Sequence, residues 1–277
     1  MDLEIIELED GTTRRLGNIV PISGKPRMFR AGASIYGDGL DEPVYTESQL
    51  REFAKQFDAN PYDPFLPPTH DQDGVGQCNA DATASAVERE RLRQGGAFEA
   101  ISAPDLYDRI NGGSDRGSML EDALQEATVK GLATVAAAGG NTIWHHGQVR
   151  ASDAERAKNR VLEWKLCPTF WHVLSAVTKG RSIISGVMWY DNFTPDSSGW
   201  LPTSRRGRGG GHAIMGYKPA IKNNALGVWH KQSWGKSYGS ATDNCFVLSQ
   251  SHYEGDVGGW WALCSLTDPG QLAPQGE

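Results

Sequence analysis

The strongest constraint on the fold is a change of sequence pattern near residue 180. Before that point, apolar residues recur at helical spacing, as at Met119, Leu120, Ala123, Leu124 and Ala127. After it come short runs rich in β-branched and aromatic residues, which predict strands over 183–190, 212–217, 225–232, 244–249 and 260–266. Helices followed by strands predict an α+β fold, with the functional site in a groove between a helical and a β-rich part.

Capping signals and apolar spacing set the expected helices. Thr46, with Gln49 three residues later, forms a capping box at the start of one helix. Ser102 is expected to cap another, and Pro168 to open a third. The predicted helices cover about 47–57, 78–93, 103–110 and 118–130, a short segment after Ser152, and the segment from Pro168. Residues 1–20 are predicted to form a β-hairpin that turns at Asp10-Gly11.

The composition is that of an ordinary globular protein and limits the partners. The chain has 277 residues, 39% hydrophobic and 22% charged. Its net charge of −7 argues against nucleic acid, because phosphate binding needs a positive surface. The basic run at 205–209 is interpreted as a loop. No apolar run reaches the ~18 residues of a membrane span, and acidic residues interrupt segment 2–20, so a protein without an export signal, cytoplasmic as synthesised, is expected.

The four cysteines do not indicate a metal site. Cys78, Cys167, Cys245 and Cys264 contain no Cys-x-x-Cys pair, so a structural zinc site is not expected. A Cys245–Cys264 disulfide remains open, but two small buried residues is the favoured interpretation.

Four separated residues could together supply nucleophilic chemistry. Gln72 stands six residues before Cys78, and Cys78 is predicted to begin a helix, where unpaired N–H groups and the helix dipole favour a thiolate. His212 opens a predicted strand after a glycine-rich run that ends at Gly211. Gln232 precedes Ser-Trp-Gly, which contains Trp234. An amide beside an imidazole can fix its tautomer and orientation.

In order and spacing, these segments resemble the papain-like cysteine peptidases, in particular a compact member of bacterial or phage type. The interval between Cys78 and His212 lies within the ~130–150 residues typical of that family. The resemblance implies that Cys78 is the nucleophile, that Gln72 and the Cys78 N–H hold the oxyanion, and that His212 is the base. It also implies that Gln232 orients His212, where the family has Asn.

The same resemblance implies further site residues and the architecture. Trp234 is expected to shield the imidazole from water, and Gly112, Gly113 and Gly211 are expected to contact an extended peptide substrate. The β-rich part is expected to be antiparallel and barrel-like, with the active site in the cleft beside it. Neither a metal nor an organic cofactor is expected. His70 is the rival candidate for the base, whereas the pair His145-His146 is interpreted as a solvated loop.

The resemblance covers about residues 65–250 and predicts a domain division. Residues 61–270 are expected to form the catalytic domain, helical over about 70–160 and β-rich over 161–270, followed by a tail at 271–277. Residues 1–60 lie outside it and look too short for the usual inhibitory propeptide. They are interpreted as a barrel-completing extension or as an arm that docks on an assembly partner.

Three functional hypotheses follow. The first is a cysteine peptidase that hydrolyses polypeptide through a thiolate–imidazolium pair. The second is a weakly active or inactive papain-like component of a larger assembly such as a phage particle, which the Asn-to-Gln change at residue 232 favours; an occluded groove or a rotated His212 would support it. The third is an amidase acting on cell-wall peptide. No nucleic-acid or membrane partner is expected.

Overall fold

The computed structural model describes residues 4–7, 13–17, 34–37, 43–56, 60–235, 238, 244–255 and 257–266. These residues form seven helices, most of them in the first two thirds of the chain. The helices are α1 (Glu47–Ala54), α2 (Cys78–Arg93), α3 (Ala103–Ile110), α4 (Leu120–Val129), α5 (Asp153–Ala157), α6 (Phe170–Thr178) and α7 (Gln250–Gly255). None of the helices in these ranges is long and apolar enough to cross a lipid bilayer.

Nine strands form two sheets in the described part of the chain. The strands are β1 (Glu4–Glu7), β2 (Thr13–Leu16), β3 (Ser34–Ile35), β4 (Val161–Leu166), β5 (Ser182–Tyr190), β6 (Gly209–Lys222), β7 (Ala225–Lys231), β8 (Cys245–Ser249) and β9 (Val257–Leu266). β1 and β2 form an antiparallel hairpin, while the other strands form one sheet in the order β3-β4-β9-β5-β6-β7-β8. Its pairings are antiparallel except for β3 with β4.

The predicted α+β arrangement is confirmed, and the helix boundaries follow the capping signals closely. Thr46 and Gln49 form the expected capping box, and the Ser102 side chain accepts a hydrogen bond from the backbone of Asp105. The helix predicted from Pro168 begins slightly later, at Phe170. The expected N-terminal hairpin pairs Glu4 with Leu16, although its Asp10-Gly11 turn lies outside the described residues. Neither β4 nor α7 was predicted.

Helix α2 is the central element of the fold. It is buried along nearly its whole length, and its alanines allow it to pack against β6, α3 and α4. The burial includes charged residues, which are paired: Arg89 bonds to Asp63 at 2.6 Å and to the Gly180 carbonyl at 2.8 Å. The helical part and the sheet therefore meet along α2 and β6, which brings the first residue of α2 against the sheet.

Candidate active site

Cys78 lies at the first position of α2 and is fully buried. Burial raises the pKa of its thiol to about 12, although backbone hydrogen bonding from Ala213, Gly17 and Asn79 acts in the opposite direction. Ala213 directly follows His212 in β6, so the fold brings the predicted nucleophile to the strand of the predicted base.

His212 is fully buried between two indoles. Its ring stacks on Trp234, with centroids 4.6 Å apart and planes at 28°, and meets Trp189 edge-on at 5.5 Å. Burial lowers the pKa of the imidazole to about 3, while hydrogen bonding with Gln232 raises it. Trp234 thus covers one face of the imidazole, and its shielding role stays a prediction.

Gln232 directly follows β7 and is only 4% exposed. Its side-chain amide lies close enough to His212 to raise the pKa of the imidazole. Within the described ranges, however, neither of its amide atoms makes a hydrogen bond of normal distance and angle. The longer Gln side chain therefore reaches the imidazole environment without a well-formed bond, and its orienting role stays a prediction.

Gln72 is buried and held by several hydrogen bonds. Its side-chain nitrogen donates to the carbonyl oxygens of Arg15 at 3.0 Å and Val75 at 2.8 Å. Its side-chain oxygen accepts from the Ser233 hydroxyl at 2.6 Å, and its backbone N–H donates to the Ser233 carbonyl at 2.8 Å. The predicted oxyanion donor is thus tied to the residue that follows Gln232.

Residues 13–17, here called the covering segment, lie directly on these side chains. The Arg15 carbonyl accepts a hydrogen bond from the Gln72 side-chain amide, and Gly17 packs against the backbone of Gly76, two residues before Cys78. The Gly17 carbonyl accepts from the Ser118 N–H at 2.9 Å. The Arg14 guanidinium lies 5.8 Å from the Trp234 ring centroid. This placement was not anticipated from the sequence, in which residues 1–60 were interpreted as a barrel extension or docking arm.

The covered site departs from the expected thiolate–imidazolium pair. With the pKa of Cys78 near 12 and that of His212 near 3, both groups are neutral at pH 7 in this conformation. The physical reason is burial, which removes the water that would stabilise either charge. Burial thus disfavours charge on both groups in this conformation, and the charged pair stays a prediction.

The predicted substrate-binding glycines have different environments. Gly112 and Gly113 are exposed, have φ of +67° and +83°, and would leave an added Cβ in open space. Gly113 also donates its N–H to the Asn111 side chain at 2.8 Å. Gly211 pairs with Met188 of β5. The positive φ angles explain Gly112 and Gly113, and substrate contact stays a prediction for all three glycines.

Sequence reasoning missed Asp115, which follows the predicted glycine strip. One carboxylate oxygen accepts hydrogen bonds from the Gly76 N–H at 2.9 Å and the Tyr107 hydroxyl at 2.8 Å. The other oxygen lies 2.7 Å from the Arg15 guanidinium. Its position two residues after Gly113 was the only signal in the sequence.

His70, the rival base, makes other contacts. Its ring nitrogens lie 3.2 Å from the Asp81 carboxylate and 3.0 Å from the Glu88 carboxylate. Burial opposes its charge, but Glu88 and Asp81 raise its pKa to about 10. His70 is therefore a structural cation beside α2. His145 and His146 are exposed, and no cluster of three or more His, Cys, Asp or Glu side chains suited to a metal occurs in the described ranges.

The disulfide question is only partly answered. Cys245 is buried, and its contact with the Tyr217 hydroxyl contributes to the raised pKa of that tyrosine. This environment is that of a small buried residue, as the sequence favoured, while the side chain of Cys264 lies outside the described residues.

Comparison with known proteins identifies the fold through solved structures. No protein-family model and no curated protein matches the sequence. Xylellain, a cysteine protease from Xylella fastidiosa, matches with a TM-score of 0.68 and 16% identity over 91% of this chain and 96% of that one. The procathepsin B named S9 from Trypanosoma congolense matches with a TM-score of 0.63 and 16% identity over 91% and 87% of the two chains.

A third match is digestive procathepsin L 3 of Tenebrio molitor larval midgut, with a TM-score of 0.58 and 15% identity over 72% of this chain and 67% of that one. At such identities the likeness concerns the fold. The chain therefore has the fold of the papain-like cysteine proteases, as its sequence motifs predicted.

Proposed function

We propose that this protein is a cysteine peptidase whose cleft is held closed by its own covering segment. The observation that carries the proposal is the contact of a backbone carbonyl with Gln72. The side-chain nitrogen of Gln72 donates to the Arg15 carbonyl at 3.0 Å, and two residues later Gly17 packs against the backbone of Gly76 in the loop that leads to Cys78. A peptide is thus already bound beside the thiol, through the group proposed to hold the oxyanion.

The proposed reaction begins when the covering segment leaves. Cys78 gives its proton to His212, and its sulfur attacks the substrate carbonyl carbon. Gln72 and the Cys78 N–H hold the negative oxygen of the tetrahedral intermediate, a type of donor whose removal typically costs 10²–10³ in kcat. His212 then protonates the leaving amine, which departs. Finally, a water that gives its proton to His212 hydrolyses the thioester, and the proton returns to the sulfur.

The covering segment is proposed to help keep the resting pair neutral. Burial raises the pKa of Cys78 and lowers the pKa of His212, and the segment lies beside the loop that leads to Cys78. Opening admits water to both groups, so that the thiol becomes easier to ionise and the imidazole easier to protonate. Gln232 is proposed to orient His212 in the open state, where a small shift of the ring would complete the bond.

The proposal is tested with an unfolded protein substrate and a thiol-directed epoxide under reducing conditions. We expect slow cleavage by the full chain, covalent modification at Cys78 located by peptide mass spectrometry, and loss of both in Cys78→Ala. Cys167→Ala, which removes another buried thiol, is the matched control and should keep both. If Cys78→Ala cleaves as well as the unaltered chain, the proposal is wrong.

An inactive scaffold is the second candidate, and the occupied cleft is the observation that favours it. A non-catalytic protein has no need to expose Cys78, and Gln232 lacks a well-formed bond to His212. The scaffold hypothesis expects Cys78→Ala to assemble normally into particles together with its partners. Cleavage that depends on Cys78 would exclude it.

A further inference from the structure

The covering segment places a cationic side chain in a defined pocket of the cleft. The Arg15 guanidinium lies 2.7 Å from the Asp115 carboxylate and 3.3 Å from the Gly74 carbonyl oxygen. The carbonyl of the same residue accepts the hydrogen bond from Gln72. The residue whose carbonyl meets the proposed oxyanion donor therefore directs its side chain to a carboxylate.

Asp115 is held rigidly for this contact. Its Oδ1 accepts hydrogen bonds from the Gly76 N–H and from the hydroxyl of Tyr107. Tyr107 is fully buried and itself accepts from the Gly117 N–H at 3.0 Å. Because these two donors fix Oδ1, Oδ2 also has a defined position. The carboxylate therefore loses little side-chain freedom when it binds a cation.

From this geometry we propose that Asp115 is a specificity-determining residue, which selects peptides with arginine at the position now held by Arg15. The inference rests on the proposed peptidase function and adds its substrate class. A guanidinium suits this place because its Nη1 carries two hydrogens and a share of the positive charge, and donates both to Asp115 and to the Gly74 carbonyl. A neutral side chain of the same shape leaves the carboxylate without a counter-charge.

The test compares paired peptides in the full-length chain with Arg15→Ala, so that the protein's own arginine does not compete for the pocket. The peptides carry the sequence around residues 13–17, with arginine or its uncharged isostere citrulline at the place of Arg15. We expect kcat/KM to be roughly tenfold higher for arginine, since the pair is charge-assisted but partly exposed, with side-chain exposures of 37% for Arg15 and 20% for Asp115.

Two further variants in the same background isolate the carboxylate. Asp115→Asn keeps the oxygen that Gly76 and Tyr107 use but removes the charge, and it should bring the two peptides to within about twofold. Asp73→Asn is the matched control, because it removes a charge from the neighbouring exposed loop and leaves the Arg15 pocket intact. It should retain the arginine preference.

The outcomes separate this inference from the proposed function. Cleavage without arginine preference, or a preference that survives Asp115→Asn, overturns the role of Asp115 and leaves the peptidase proposal standing. Absence of cleavage of every peptide, together with absence of epoxide labelling at Cys78, overturns the peptidase proposal and the inference with it.

Discussion

Substitution of Gly17 by alanine should open the cleft. A Cβ built on Gly17 overlaps the carbonyl group of Gly76 and lies 2.5 Å from its Cα. Carbon atoms in ordinary contact stand ~3.5–4.0 Å apart. The covering segment must therefore retreat by about 1 Å, because the atoms it meets are backbone of the loop that leads into α2.

A retreat of that size breaks the hydrogen bonds that hold the segment. The Ser118–Gly17 and Gln72–Arg15 bonds measure 2.9 and 3.0 Å, and a further 1 Å takes each beyond bonding distance. Each is worth about 1 kcal/mol, so the covered state loses about 2 kcal/mol relative to the open state. The open population should then rise roughly 30-fold, and more if the Arg15–Asp115 pair is also lost.

The assay is the rate at which the epoxide labels Cys78 at pH 7.5, followed by intact-protein mass spectrometry. Gly17→Ala should label roughly 30-fold faster than the unaltered chain, because labelling follows the open population. Gly96→Ala is the matched control: it makes the same chemical change at the far end of α2, where the nearest atom to the new Cβ is the Arg91 carbonyl oxygen at 3.1 Å. Its rate should stay within about twofold.

Thermal unfolding of both variants provides the check on folding. If Gly17→Ala is folded and labels at the unaltered rate, the covering segment does not control access to Cys78. The same conclusion follows if the Gly96 variant accelerates labelling equally, since the effect would then be global.

Three further predictions concern buried polar groups. In the Gly17→Ala background, Gln232→Ala should lower kcat roughly 10–100-fold with KM little changed, whereas Gln232→Asn should retain activity. If Gln232→Ala has the same kcat as the chain with Gln232, the residue does not orient His212. His70→Gln should destabilise the fold by about 3 kcal/mol in urea unfolding, because it leaves two buried carboxylates without their cation, while exposed His145→Gln should not. His212 and His230 both have a pKa of about 3 instead of 6.5, so between these pH values they bind protons only on unfolding. As pH is lowered from 6.5 to 3, the free energy of unfolding should fall by up to about 1.4 kcal/mol per pH unit for each. A free energy of unfolding that does not change over this range would contradict their burial.

Local signals explain how much of the fold could be predicted. The Thr46 and Ser102 caps define helix starts through bonds within a few residues, so the sequence alone reveals them. β4 was missed although Val161–Leu166 alternates apolar and charged residues as a half-buried strand does, because so short a run beside a polar stretch gives a weak signal. It pairs with the distant β9. The partner of such a strand, unlike its alternation, leaves no short-range signature.

In the candidate site, too, some parts could be predicted from the sequence and others could not. Cys78 and His212 could be located because Cys78 begins α2 and His212 lies near the start of β6, each behind a distinctive run of residues. The covering segment could not, because nothing in Thr13–Gly17 indicates its partner; its position depends on Gly17 fitting against Gly76 and on Asp115 meeting Arg15. The raised pKa of Cys78 comes from its burial in the assembled fold, which was hidden for the same reason.

Covering and ionisation at this site are coupled in both directions. In the covered state the pKa of the Cys78 thiol is about 12 instead of 9.0, and that of His212 about 3 instead of 6.5. A conformation that disfavours charge on either group is itself disfavoured once that group is charged. Where departure of the covering segment admits water to thiol and imidazole, proton transfer between them opposes the return of the segment. A neutral pair beneath the segment is thus the expected resting state of a latent thiol site, and it does not argue against catalysis in the open state.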